Sequence, residues 1–307
     1  MVPKAQPRLR NLSFACGVRP CGAGGRRFFL IATQWRLPCR AFHAIVPPVN
    51  VAGVAAVALS VAVFAWAYRL LVKRSWKVRL AVFGIFSLLS IPALLFAVYY
   101  VHILPETAWF YTLRSWTGSE FLILFAGVAA GAAASLLPRI LLGIPLFGLI
   151  GAGVLPYLKP VLGPLPDSAF TETWKDGVCM QSTPSTCGPA TVSTILKRLG
   201  AEASEREAAR AAHTYAGGTE AWYLARYVRE KGFSPRFVFG RPFSVAAGLP
   251  AMVGTQIGGV GHFVAILAAD GDTLTIADPL SGEERMTMAD FQRRYQFSGF
   301  AMVVSPR

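Results

Sequence analysis

Among the five cysteines of the 307-residue chain, Cys187 stands where a loop should give way to a helix. Val192, Ile195, Leu196 and Leu199 follow it at helical spacing, and Gly200 ends the run, which predicts a helix starting at the cysteine. Pro189 suits a first helical turn, where its missing N–H is no loss. Ser185 or Thr186 is the expected N-cap. A sulfur in that position meets unpaired backbone N–H groups and the positive end of the macrodipole, and both favour thiolate over thiol. Six residues upstream, the Gln181 amide offers N–H donors to the same spot. A nucleophilic sulfur beside an amide donor is half of a cysteine hydrolase.

The other half is a base and a group to orient it. Four histidines exist: His43, His102, His213 and His262. His262 lies in the strand-like run Gly261–Ala268, and a second such run, 272–279, follows a short turn. A three-residue loop, Ala269-Asp270-Gly271 with Gly271 left-handed, sets Ala268 against Asp272 and His262 directly opposite Asp278. A two-residue Asp270-Gly271 loop slips the pairing by one and sends Asp278 to the far face. The three-residue loop is the one expected. Asp278 then fixes the imidazole tautomer while the other ring nitrogen meets Cys187.

Four separated elements carry a family resemblance: Gln181 with Cys187-Gly188-Pro189-Ala190, Gly218-Thr219-Glu220, Gly261-His262-Phe263-Val264, and Ala277-Asp278-Pro279. In order and spacing they resemble the bacteriocin-processing peptidases of the C39 type, papain-like domains that cleave leader peptides after a double glycine. Such domains usually stand at the front of an exporting ABC transporter. The resemblance covers roughly Trp174 to Val304. It implies Cys187 as nucleophile, His262 as base, Asp278 as orienter and Gln181 as oxyanion-hole donor. Where the family usually has Asp before the cysteine, this chain has Thr186.

The elements that must position these residues follow an α+β order. Ser204-Glu205-Arg206-Glu207 is a capping-box signature opening a second helix, with His213 at its end in a structural role. Thr219 to Lys231 predicts a third helix, ended by Gly232, that buries Trp222, Ala225, Tyr227 and Val228. Strands are expected at 236–239, 251–256, the His262 hairpin and 300–304, with a short helix at 288–295. Helices packed on an antiparallel sheet agree with the papain-like layout over 174–307. Cys179 is read as packing, with oxidation against Cys187 as a lesser alternative.

Ahead of that domain the chain is of another kind. With 54% hydrophobic residues, it is too apolar for one soluble domain and long enough for two units. Runs at 46–68, 78–104, 121–137 and 140–158 each approach the roughly twenty residues needed to cross a bilayer, giving an all-α bundle of four transmembrane helices over 45–160. Pro92 should kink the second. The last two are short enough that a re-entrant hairpin is an alternative. Gly127, Gly131 and Ser135 form a small-residue stripe for close packing. Residues 161–173, with Gly163, Pro164 and Pro166, read as a linker.

Charge is divided unevenly. Lys4, Arg8, Arg10, Arg19, Arg26, Arg27, Arg36 and Arg40 lie in residues 1–44 with no acidic partner, a pattern of a basic disordered tail or of a start placed too far upstream. Cys16, Cys21 and Cys39 show no metal-ligand spacing. The loop between the first two spans is basic through Arg69, Lys73, Arg74, Lys77 and Arg79. Short basic loops stay in the cytoplasm, which leans the catalytic domain outwards, although the tail and the family resemblance both pull the other way. The reading is an integral multi-pass protein of a bacterial cytoplasmic membrane, its partners the bilayer, a peptide or protein substrate and a separate exporter.

From Asp167 onward, basic and acidic residues balance at fourteen each, which argues against a nucleic-acid partner. No phosphate loop accompanies the domain, and the chemistry needs neither metal nor cofactor. Two other readings share the same residues: a different acyl transfer, such as transglutamination or deamidation, and a peptide-binding domain that recruits cargo without cutting it.

Overall fold

The computed structural model describes residues 49–100 and 104–307. The basic tail, Cys16, Cys21, Cys39, His43 and His102 lie outside the described residues.

The first half is helical: α1 (Val51–Leu71), α2 (Trp76–Tyr100), α3 (Ala108–Arg114), α4 (Ile123–Leu136), α5 (Gly143–Val154) and α6 (Leu158–Leu162). Among the described residues, four stretches are long and apolar enough to cross a membrane: Val51–Leu71, Trp76–Tyr99, Ser119–Leu136 and Arg139–Leu162. Asn50 caps α1 by accepting the Gly53 N–H at 2.8 Å. The small-residue stripe works as expected from its composition. A Cβ on Gly127 would lie 2.6 Å from the Ser60 carbonyl oxygen, and one on Gly131 2.5 Å from that of Phe64. Helices α1 and α4 therefore touch backbone to backbone.

The second half is α+β, as the papain-like expectation has it. A small pair, β1 (Trp174–Lys175) and β2 (Val178–Cys179), leads into α7 (Cys187–Arg198), α8 (Glu205–Ala211) and α9 (Ala221–Glu230). Then come β3 (Phe233–Phe239), β4 (Ala251–Ile257), β5 (Val260–Asp270), β6 (Thr273–Asp278), β7 (Gly282–Thr287), α10 (Met288–Tyr295) and β8 (Phe300–Pro306). Strands β3 to β8 form one antiparallel sheet in the order β3-β8-β4-β5-β6-β7. Strand β7 escaped the sequence reading because Glu283, Glu284 and Arg285 give it little apolar alternation. The helix expected from Thr219 begins at Ala221, with Glu220 at its N-cap.

One side of the sheet packs on α7 through Val192, Ile195 and Leu196, and on α9 through Trp222, Leu224 and Val228. The other side packs on α10 through Phe291 and Tyr295. The first of these cores also takes in Phe96, Tyr99, Phe110 and Tyr111 from α2 and α3. The Tyr99 and Tyr111 rings meet Trp222 edge-on at 5.0 and 5.3 Å. Residues 161–173 notwithstanding, the apolar helices and the sheet domain share a core.

A buried polar cluster ties the same seam. Arg226 of α9 donates to Glu120 Oε1 at 2.6 Å and to the Arg114 carbonyl at 2.8 Å. Asn50 Nδ2 donates to Glu120 Oε1 at 3.2 Å and to the Tyr223 hydroxyl at 3.1 Å. The Arg114 guanidinium lies 4.2 Å over the Phe96 ring. Charges this deep are tolerated only in company. Glu120→Ala removes the carboxylate from between two guanidinium groups and is expected to cost about 3–5 kcal/mol. Thermal unfolding of the purified protein in detergent measures it, and an unchanged midpoint refutes the cluster's role.

Candidate active site

Cys187 is the first residue of α7, as its surroundings predict, but the capping differs from expectation. Thr186 occupies the N-cap without making a side-chain cap bond. Its hydroxyl instead accepts the Thr183 N–H and donates to the Thr183 carbonyl, both at 3.0 Å. Ser185 Oγ donates to the Ala216 carbonyl at 2.8 Å. Both hydroxyls serve the loop, so neither caps the amides of the first turn around Cys187. Gly188 is required by packing, since a Cβ there would lie 2.9 Å from Leu224 Cδ1 and 3.3 Å from Phe263.

The β5–β6 hairpin departs from the expected register in two steps. The turn is Gly271-Asp272, with Asp270 paired to Thr273. Gly271 has φ +58°, and glycine in the first place is a standard two-residue hairpin pattern, which wins over the three-residue loop. Carried on unbroken, that pairing would set Asp278 against Ala265 and leave His262 on the opposite face of the sheet. A β-bulge intervenes between Ile266 and Ala268, after which Ala265 pairs with Ala277. Continuing from there sets Asp278 beside Val264, diagonal to His262 and on the same face. The expected direct opposition of His262 and Asp278 is not formed; the shared face is.

His262 Nε2 lies 2.8 Å from Asp278 Oδ1. This leaves Nδ1 for the Cys187 thiol, a neighbour that favours the charged ring. The second oxygen of Asp278 accepts the Tyr295 hydroxyl at 2.9 Å, and Oδ1 also accepts the Leu280 N–H at 2.9 Å. Burial pulls the imidazole down, but its bonds to Asp278 and Cys187 outweigh that and hold its pKa up at about 9. Burial raises Asp278, and the bonds from His262 and the Leu280 amide more than offset it, leaving the carboxyl below its ordinary range. Cys187 is 8% exposed and His262 7%. Both line a cleft of ≈ 640 Å³ whose walls include Gly217, Gly218, Gly254 and Gly261.

Gln181 sits differently from a free oxyanion donor. Its Nε2 donates to the Thr183 carbonyl at 2.8 Å, and its own N–H donates to the Pro279 carbonyl at 3.0 Å. One of the two amide protons is thus engaged within the loop and one is left over.

Two residues of the site went unnoticed in the sequence. Tyr295 was one, since nothing in a short C-terminal helix announces a contact to Asp278. Glu205 was the other. It is read from the sequence as part of a capping box, and Ser204 does accept the Glu207 N–H at 3.2 Å. Yet Glu205 itself is fully buried and accepts both the N–H of Ser182, at 2.7 Å, and its hydroxyl. The loop carrying Gln181 hangs between this carboxylate and Pro279. Elsewhere, Cys179 is buried, its N–H on Thr194 Oγ1 at 2.9 Å and its thiol pushed up to about 12 by burial. His213 sits edge-on to Tyr223 at 5.0 Å, beyond the end of α8.

The sequence pattern of the Peptidase C39 family matches residues 175–307. An uncharacterized protein of Methanothermobacter marburgensis is 32% identical over 127 residues, which is 41% of this chain and 87% of the relative. Among solved structures, the peptidase domain of Streptococcus ComA, a bi-functional ABC transporter involved in quorum sensing, is 21% identical with a TM-score of 0.38. The match covers 42% of this chain and 98% of that one. A double glycine motif protease from an AMS/PCAT transporter, in complex with the leader peptide, is 20% identical with a TM-score of 0.38, covering 42% of this chain and 91% of that one.

Two outcomes test the geometry. The protonated form of His262 is lost as pH rises through about 9, so kcat/KM should fall there. Asp278→Asn removes the acceptor that holds the proton and should bring this limb down towards the ordinary imidazole range; a limb that stays put contradicts the pairing. Glu205→Ala should lower acylation of Cys187 by p-nitrophenyl acetate about tenfold or more, since that reaction develops an oxyanion. Alkylation by iodoacetamide develops none and should keep its rate. Equal losses in both reactions would mean that Glu205 merely holds the domain together.

Proposed function

The chain belongs, through residues 175–307, to the Peptidase C39 family, and on that premise we propose that it is a membrane-anchored cysteine peptidase. The observation that carries the reading is the row of hydrogen bonds from Tyr295 through Asp278 to His262, with His262 lining one cleft together with the sulfur at the start of α7.

The Cys187 sulfur, its proton held by His262, attacks the carbonyl carbon of a peptide bond. A C–S bond forms and the carbonyl electron pair moves onto oxygen. The Cys187 backbone N–H and the spare proton of Gln181 receive that oxyanion. Collapse breaks the C–N bond, and His262 passes its proton to the leaving amine. Water, deprotonated by His262, then attacks the thioester, frees the acid and restores the thiol. Asp278 keeps the ring oriented throughout and supports its charge. The glycines of the cleft leave room for a substrate backbone with small side chains. Leader peptides of exported peptides are the substrate class that the family suggests, with a separate exporter as partner.

The helix ends favour one orientation. Asn50, Tyr99, Glu120 and Tyr157 lie at the end of the bundle that carries the peptidase domain. The loop between α1 and α2, with Lys73 and Arg74, lies at the opposite end, where Arg79 donates to the Ser135 carbonyl at 2.8 Å. Arg139 opens the last span at that same end. Basic loops remain cytoplasmic, which supports a catalytic domain on the outside.

A membrane-impermeant electrophilic thiol probe applied to sealed cells tests these points together. Labelling of Cys187 that His262→Ala abolishes is the expected result. Labelling only after lysis overturns the orientation alone. An inert Cys187 in lysed cells overturns the enzyme and favours a peptide-binding domain. Product masses from candidate peptides separate hydrolysis from another acyl transfer.

A further inference from the structure

The cleft is not built by the peptidase domain alone. Besides Cys187 and His262 it is lined by Tyr99, Glu106, Tyr111 and Lys159. Tyr99 is the last residue of the second candidate span, and Lys159 lies within the last turn of the fourth. These walls are fixed. Tyr99 donates to Glu106 Oε1 at 2.9 Å and packs on Trp222. Lys159 Nζ reaches Glu220 Oε1 at 3.4 Å, and Tyr215 donates to the same oxygen at 3.4 Å.

The surroundings mark a water–lipid boundary at this level. Trp109 and Trp116, between the second and third spans, are 56% and 57% exposed. Exposed tryptophan at helix ends belongs at the headgroup layer. At the mouth of the cleft, the β4–β5 hairpin turns through Gly258 and Gly259, and Val260 beside them is 70% exposed. Among the described residues beyond 165, only Ile257, Val260 and Leu280 are exposed large hydrophobics, so two of the three sit at this hairpin tip.

We infer that the cleft takes its peptide at the bilayer surface: the substrate is a chain tethered to the membrane and held just outside its anchor, not a peptide captured from bulk solvent. The inference rests on the peptidase reading above and adds the substrate's location to it. Span ends forming one wall bring the sulfur to headgroup height, where a free peptide has no advantage. A chain anchored within reach arrives at high effective concentration.

The test uses the full-length protein in phosphatidylcholine vesicles and one small electrophile, Gly-Gly chloromethyl ketone, in three forms. One is free in water, one is joined directly to a phospholipid headgroup, and one is joined through about ten prolines, a semi-rigid spacer of roughly 30 Å. In each, the sulfur forms a C–S bond and chloride leaves with the C–Cl electron pair. Labelling is read at the Cys187-bearing peptide by mass spectrometry. The directly joined reagent should react at least about tenfold faster than the free one at equal bulk concentration, and faster than the proline-spaced one. Reaction of the spaced form with none of the direct form puts the thiol above the surface and overturns the inference. Equal rates for free and direct reagents overturn it as well. If the free reagent and iodoacetamide label Cys187 equally in the His262→Ala protein, the peptidase reading fails, and the order of the two tethered forms still decides where the cleft lies.

Discussion

Imidazole and carboxylate share a face because β5 holds one residue more than β6 between Ile266 and Ala268. The glycine-first turn fixes the start of the pairing, and by itself it would leave His262 on the face opposite Asp278. The bulge re-aims β5, bringing His262 to the face on which Asp278 continues the row of Leu274 and Ile276 and meets Tyr295. Everything beyond depends on this. The raised imidazole pKa needs Asp278, and the sulfur's basic neighbour needs that imidazole in place. Sheet twist and a single inserted residue thus do electrostatic work from five residues away.

The sulfur's side of the site is set by an omission. Thr186 could cap α7, and its hydroxyl turns back to Thr183 instead. Helix stability is forgone, and donors are left facing the cleft. The same loop is gripped from below by Glu205, a buried acid that accepts from the Ser182 backbone and hydroxyl. Stiffness comes from these local bonds, and from Gly188 letting α9 and β5 close against the helix.

Much of this was legible in the sequence for a physical reason. Elements with strong periodicity or punctuation declare themselves: the helix after Cys187, the capping box at Ser204, the apolar runs, the glycine stripe on α4. Proximity of Cys187, His262 and Asp278 followed from a motif whose spacing constrains the chain. What stayed hidden depends on contacts between segments remote in sequence. A bulge changes no residue type, so the register of the hairpin was expected wrongly even though the shared face was expected rightly. Glu205 and Tyr295 look like surface residues of short helices until the loop and the sheet are folded over them. The aromatic seam between α3 and α9 was equally silent, because no local pattern pairs Phe110 and Tyr111 with a tryptophan as remote in sequence as Trp222.

That seam has a bearing on when the cleft is complete. Tyr99 and Tyr111 are at once part of the hydrophobic interior around Trp222 and part of the wall around the sulfur. A chain whose helices are not yet seated therefore lacks one bank of its own groove. Seating the helices and finishing the groove are thus one and the same folding event.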